Sequence, residues 1–230
     1  MTIAQMHLAW RMQLDKSGSL ELPSFLPEEI DFWLNAAANK FAKVRYTGSD
    51  KGLGFEGNSK RTEDLKTLVI DDGLIPVAGT VRPNSWVCDA SALDNKWFTL
   101  GEEVDIHYTK LGEVNHSTKR QGVTQCTIDS YRSHIDDPYS EHILHYEEAK
   151  PLRLVYQDYI ELVTDGNYDV THYYIRFLRK PAEMSLVGGD NCDLPEHTHD
   201  EIVLMAVSMA LENIEQPRYQ SQMNELNKIE

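Results

Sequence analysis

Apolar residues recur at helical spacing near both ends of the chain and at strand spacing between them. Ile3, Met6, Trp10 and Leu14 fall on one stripe, which predicts a short helix over residues 2–16, ended by Ser17-Gly18-Ser19. A second helix starts at Pro27. Glu28 and Glu29 suit its positive N-terminal dipole, and Ile30, Leu34, Ala37, Phe41 and Val44 continue the repeat to about Tyr46. A third is predicted over residues 59–70 on Leu65, Leu68 and Val69, closed by Asp72-Gly73. Near the C-terminus Pro195 and Glu196 open a helix in which Ile202, Met205, Ala206, Met209 and Asn213 share a face. Pro217 interrupts it, and Tyr219, Met223 and Leu226 resume the spacing over Arg218–Glu230.

Between about 74 and 180, β-branched and aromatic residues dominate, broken by Gly, Pro, Asn and Asp. Strands are predicted near 85–89, 96–100, 103–109 and 122–129. The strongest hairpin signal sets Leu152–Val163 against Tyr168–Arg179 across Thr164-Asp165-Gly166-Asn167. In its second arm Tyr173, Ile175 and Phe177 alternate with His172, Tyr174 and Arg176, the pattern of a half-buried strand. Helices followed by strands followed by helices, without a repeat, predict an α+β fold: a helical bundle built from the N- and C-terminal helices with a central β-rich domain. The expected divisions are 1–73, an N-terminal helical part; 74–190, the β-rich part; and 191–230, a C-terminal helical part that joins the first.

Composition adds a sign to this picture. The 230 residues include 37 acidic and 22 basic side chains, a formal charge of −15. A chain this acidic is not built to wrap nucleic acid by neutralising phosphates, and its lysines and arginines form no basic stripe. An acidic wall does suit a channel through which a duplex slides. Three widely spaced cysteines, Cys88, Cys126 and Cys192, form no disulfide framework and no CxxC pair, which fits a reducing compartment. The opening MTIAQMHLAWRMQLDKSG lacks a basic region followed by an apolar run, so a signal peptide is not expected there. No stretch reaches the roughly 18–20 apolar residues a bilayer requires, so no membrane association is expected.

Candidate chemistry is sparse. Gly52-Leu53-Gly54-Phe55-Glu56-Gly57 matches GxGxxG, but it follows a predicted helix rather than a strand, so a loop is expected. Cys192, His197 and His199, beside Asp200 and Glu201, are the best metal candidates. They lie at the start of a predicted helix with no second ligand cluster near, and no metal or cofactor is expected. Ser140, Glu141, His142 and His145 have the residue types for acid–base work, yet nothing in the sequence orients them, and a solvated loop or short helix is expected. GxSxG, P-loop and HExxH motifs are absent, and no catalytic residues are expected. Five tyrosines, Tyr156, Tyr159, Tyr168, Tyr173 and Tyr174, crowd the predicted hairpin. Either they pack a sheet face onto the core or they form a partner interface, for which Tyr156, Tyr159 and Tyr174 are the candidates.

Several segments together resemble one group of proteins. FLPEEIDFWLNAAANKFAKVRY (Phe25–Tyr46), RTEDLKTLV (Arg61–Val69), YYIRFLRKPAEMSL (Tyr173–Leu186) and CDLPEHTHDEIVLMAVSMALENIEQPRYQSQMNELNK (Cys192–Lys228) resemble the ring or adaptor proteins of crAss-like, short-tailed Bacteroides phages. The helix–sheet–helix order is similar to the tail tubular adaptors of T7-like phages. The resemblance covers about half the chain, at its two ends. It implies a virion structural protein without catalytic residues: a head–tail connector subunit in a ring of about twelve copies, with the portal above and further tail rings below. Packaged DNA would pass through the lumen without sequence-specific binding, and about twelve copies would carry roughly −180 charges. On this reading Tyr219, Met223 and Leu226 meet the portal. A tail ring or stopper lower in the same stack is the nearest alternative; a metal-binding module or enzyme at Cys192, His197 and His199 is the alternative of another class.

Overall fold

A computed structural model describes residues 1–17, 25–47, 59–79, 82–93, 95–108, 118–143 and 148–213. The fold is α+β. The chain divides into two compact units: residues 1–69 with the described residues from Lys180 onward, and residues 70–179.

The first unit is helical. Helices α1 (Ile3–Ser17), α2 (Pro27–Thr47) and α3 (Ser59–Leu65) are joined by α5 (His199–Asn213) from the far end of the chain. α5 packs against both α1 and α2. It buries Ile202, Val203, Met205, Ala206, Val207, Ala210 and Leu211, a wider apolar face than the single stripe predicted from its spacing, as expected of a helix sunk among others. Ile3, Met6, Trp10 and Leu14 are buried as their spacing predicts. The segment before α5 is held on α1 and α2 by side-chain amides and a carboxylate. Asn35 exchanges two hydrogen bonds with the Met184 backbone, at 2.8 and 2.9 Å. The amide of Leu186 donates to Asp31, and that of Ile3 donates to Asn191.

The third predicted helix is cut short. α3 ends at Leu65, a 3-10 turn spans Lys66–Leu68, and strand β1 (Val69–Leu74) follows. Val69 is β-branched, and Asp72-Gly73 therefore lie within a strand rather than closing a helix.

The second unit stacks two sheets over one core. The first has the order β1, β9 (Tyr168–Arg179), β4 (Lys96–Tyr108), β5 (Lys119–Gly122). The second has the order β2 (Val77–Ala78), β3 (Ser85–Asp89), β8 (Tyr159–Val163), β7 (Leu152–Val155), β6 (Thr124–Gln125). Cys88, Val104, Ile106, Ile160, Leu162, Val170, Tyr173, Ile175 and Phe177 fill the space between them. A second apolar cluster lies on the opposite face of the five-stranded sheet. There Leu152, Leu154, Val163 and Cys126 are covered by Tyr131 and Ile135 of helix α4 (Tyr131–Asp136).

The predicted hairpin does not form. β8 pairs with β3 and β7, whereas β9 pairs along its length with β4, so residues 164–167 carry the chain from one sheet to the other. Ile160 and Leu162 of β8 and Tyr173, Ile175 and Phe177 of β9 face a common core from opposite sides, which strands paired in one hairpin could not do. Gly166 has φ of +86°, the left-handed conformation this crossing needs, and the Asn84 side chain sits against it. The strands predicted at 96–100 and 103–109 are one strand, β4, broken by bulges near Gly101 and Asp105. The strand predicted at 122–129 is replaced by the ends of β5 and β6 and a turn at Thr127–Ser130.

Candidate functional site

The outward face of the four-stranded sheet gathers charged and aromatic side chains by strand alternation. Register sets Glu103 of β4 opposite Tyr174 of β9 and Gly122 of β5, and sets Asp105 opposite His172 and Arg120. Tyr174 donates its hydroxyl to Asp105 Oδ2 at 3.0 Å, and Arg120 Nε donates to Asp105 Oδ1 at 3.1 Å. The Arg120 guanidinium lies 3.9 Å from the Tyr174 ring centroid, a cation–π contact. Its bond to Asp105 holds the guanidinium above its ordinary pKa. Arg176 clasps Asp71 of β1 with two nitrogens, at 2.8 and 3.1 Å. Side chains are missing from this face at Gly73, Gly101 and Gly122, and a methyl group at either of the last two would meet nothing within 4 Å. The result is a shallow trough of about 170 Å³ lined by Asp71, Gly101, Glu102, Glu103, Tyr174 and Arg176.

The other two tyrosines named as interface candidates lie on a different sheet. Tyr156 and Tyr159 flank the β7–β8 turn and stack with ring centroids 4.5 Å apart. Arg82 donates to the Tyr156 hydroxyl at 2.8 Å, pairs with the fully buried Glu161, and covers the Tyr131 ring at 4.8 Å. Tyr168 and Tyr173 are core residues. The five tyrosines therefore divide into two in the core, two on one sheet's outer face and one on the other's. Tyr219, Met223 and Leu226 lie outside the described residues, as do the GxGxxG segment and His145.

Cys192, His197 and His199 are engaged separately. His197 Nε2 lies 2.8 Å from Asp64 Oδ1, and His199 Nε2 donates to the Leu194 carbonyl at 2.9 Å. Burial pushes the Cys192 thiol up to about 11. Among the described residues no three His, Cys, Asp or Glu are grouped as metal ligands. His142 corrects another expectation. It is buried, with Nδ1 2.9 Å from the buried Ser140 hydroxyl, and Tyr168 donates to its carbonyl, whereas Glu141 between them is exposed as expected.

Asp64 also belongs to an ionic cluster that the spacing of residues did not reveal. Arg45 Nε lies 3.1 Å from Asp64 Oδ2, and Arg45 Nη2 donates to Glu201 Oε1 at 2.6 Å, all three side chains being nearly buried. Breaking a buried cluster of this kind costs stability, because it leaves a charge without its partner. Between the two sheets, Glu102 likewise accepts from Arg153 and from the Tyr173 hydroxyl. These groups bond one another and position backbone. The partly exposed tyrosines Tyr156, Tyr159 and Tyr174 lie beside charged side chains on two sheet faces.

No protein-family model matches the chain, and no curated protein is significantly similar to it. Among the described residues no helix is long and apolar enough to cross a membrane.

Proposed function

We propose that the chain is a virion structural protein, a head–tail connector subunit. Its ring docks beneath the portal and extends the DNA channel, for retention of packaged DNA and its later ejection. The observation that carries this reading is the Arg45 cluster. Arg45 lies in the Phe25–Tyr46 segment, Asp64 in Arg61–Val69, and His197 and Glu201 in the segment that begins at Cys192. Three of the stretches that carry the resemblance to phage ring proteins, far apart in sequence, thus meet in one buried ionic contact. That supports reading them as one inherited element rather than as three chance likenesses.

Charge supports the same reading. A net charge of −15 per copy suits the wall of a channel that must let DNA slide rather than grip it. The trough at Tyr174 and the Tyr156–Tyr159 stack offer the aromatic surface that neighbours in a ring require. Partners on this reading are further copies of the chain, the portal, and the tail ring beneath. The test is electron microscopy of the chain mixed with the portal protein of the same phage. Stacked coaxial rings are expected; rings that form only with tail proteins would move the subunit lower in the stack, and no ring with either would refute the reading.

A further inference from the structure

The four-stranded sheet ends in two open edges of opposite charge. Among the described residues neither β1 nor β5 has a strand on its outer side. β1 carries Asp71 and Asp72, both exposed, and β5 carries Lys119 and Arg120. Open edges invite pairing by another chain unless something covers or repels it.

We propose that β1 of one copy pairs antiparallel with β5 of the next, continuing the sheet from subunit to subunit, with Asp71 opposite Arg120 and Asp72 opposite Lys119. Strand direction and residue face select this register, and charge agrees with it. The first is strand direction. Asp71 clasps Arg176 and Gly73 lies against Tyr174, so β1 runs antiparallel to β9. β9 is antiparallel to β4, and β4 to β5. Directions alternate across the sheet, so β1 and β5 run opposite ways and a head-to-tail copy adds an antiparallel strand without turning over.

The second is the face each residue occupies. Arg120 sits opposite Asp105 on the outward face, and Asp71 shares that face with Arg176. Lys119 sits opposite the core residue Ile106, and Asp72 lies between the core-facing Ile70 and Leu74, so both have inward parity. Each proposed pair joins residues of one parity, as a continued sheet demands. The third is charge: with direction and face fixed, this register also sets an acid opposite a base at both positions. The opposite charges favour this pairing over β1 with β1 or β5 with β5, where like charges would face each other. The contact is heterologous, the kind that closes into rings when the rotation per subunit permits.

This inference rests on the ring reading but fails separately from it. Asp72→Lys and Lys119→Glu leave the Asp71–Arg176 and Arg120–Asp105 bonds in place. Each alone is expected to move assembly of the full chain to about ten-fold higher concentration or more, measured by mass photometry. The double variant is expected to assemble like the original, and an equimolar mixture of the two single variants to assemble better than either alone. Circular dichroism verifies that each variant is folded. A second measurement needs no charge change: with Asp72→Cys and Lys119→Cys in one chain, mild oxidation is expected to give a ladder of covalent oligomers. Within a chain these strands are separated by β9 and β4, ~14 Å, too far for a disulfide. Single variants that assemble unchanged, or no ladder where the original chain assembles, would overturn the edge pairing and leave the ring reading standing. If the original chain stays monomeric alone at high micromolar concentration, the same comparisons are made on rings formed with the portal, and no ring there would overturn both.

Discussion

Arg45 and Glu201 are 156 residues apart in sequence, yet the Arg45 guanidinium donates to the Glu201 carboxylate at 2.6 Å with both side chains nearly buried. The same guanidinium faces Asp64 and lies 5.0 Å from the Phe41 ring centroid. Replacing Arg45 with Ala takes the guanidinium from two nearly buried carboxylates, Asp64, which keeps its contact with His197, and Glu201. The expected loss is about 3–5 kcal/mol, as for other broken buried ion pairs. Denaturant unfolding of the variant measures it, and a loss under about 1 kcal/mol, the range of surface pairs, would show that the cluster does not lock these helices.

Acid is expected to weaken the fold through two histidines. Burial lowers the pKa of both His142 and His199 below the ordinary histidine value. The unfolded chain then takes up protons before the folded one. Their contribution is fully present above the unfolded value, about 6.5, and is lost as pH falls from there through the lower folded values. Melting temperature is expected to fall between about pH 7 and about pH 5, and to fall less in a His142→Gln variant than in the original chain. Equal slopes for the two chains would remove His142 from the account.

The thiols are expected to be slow. Burial pushes Cys88 up to about 12 and Cys192 up to about 11, so neither is a thiolate near neutral pH. Iodoacetamide labelling of the native chain should be slow at both, and fast at all three cysteines after unfolding. Stoichiometric zinc in purified protein, lost in His197→Ala, would instead restore the metal-module alternative.

The C-terminal stripe Tyr219, Met223 and Leu226 is proposed to meet the portal. Deleting residues 218–230 is expected to abolish capture of the chain by portal while leaving its melting temperature within a few degrees of the original. Unchanged capture would assign portal contact elsewhere.

Helix spacing was readable because α1 and α2 each bury one face: Ile3, Met6, Trp10, Leu14, Ile30, Leu34 and Phe41 are in the core, whereas Val44 at the end of the α2 stripe and Asn213 at the end of the α5 stripe are exposed. Strand pairing was less readable. Alternation in Tyr168–Arg179 reports which residues point inward, not which strand lies alongside, and β9 prefers the long β4 to its neighbour β8. The candidate faces were half legible. Tyrosine enrichment led to Tyr156, Tyr159 and Tyr174, whereas Arg82 and Arg120, which cover the rings of Tyr156 and Tyr174, come from strands and turns remote in sequence. The charged edges Asp71-Asp72 and Lys119-Arg120 are visible as dipeptides, but their meaning depends on sheet order, which no local pattern encodes.

The central claim is that this chain is a ring subunit, and symmetry measures it most directly. Two-dimensional class averages from electron microscopy of the purified chain with its portal should show an additional closed ring of about twelve identical subunits, coaxial with the portal. A portal ring unaltered by the chain, with the chain left as monomers in the same field, would contradict it.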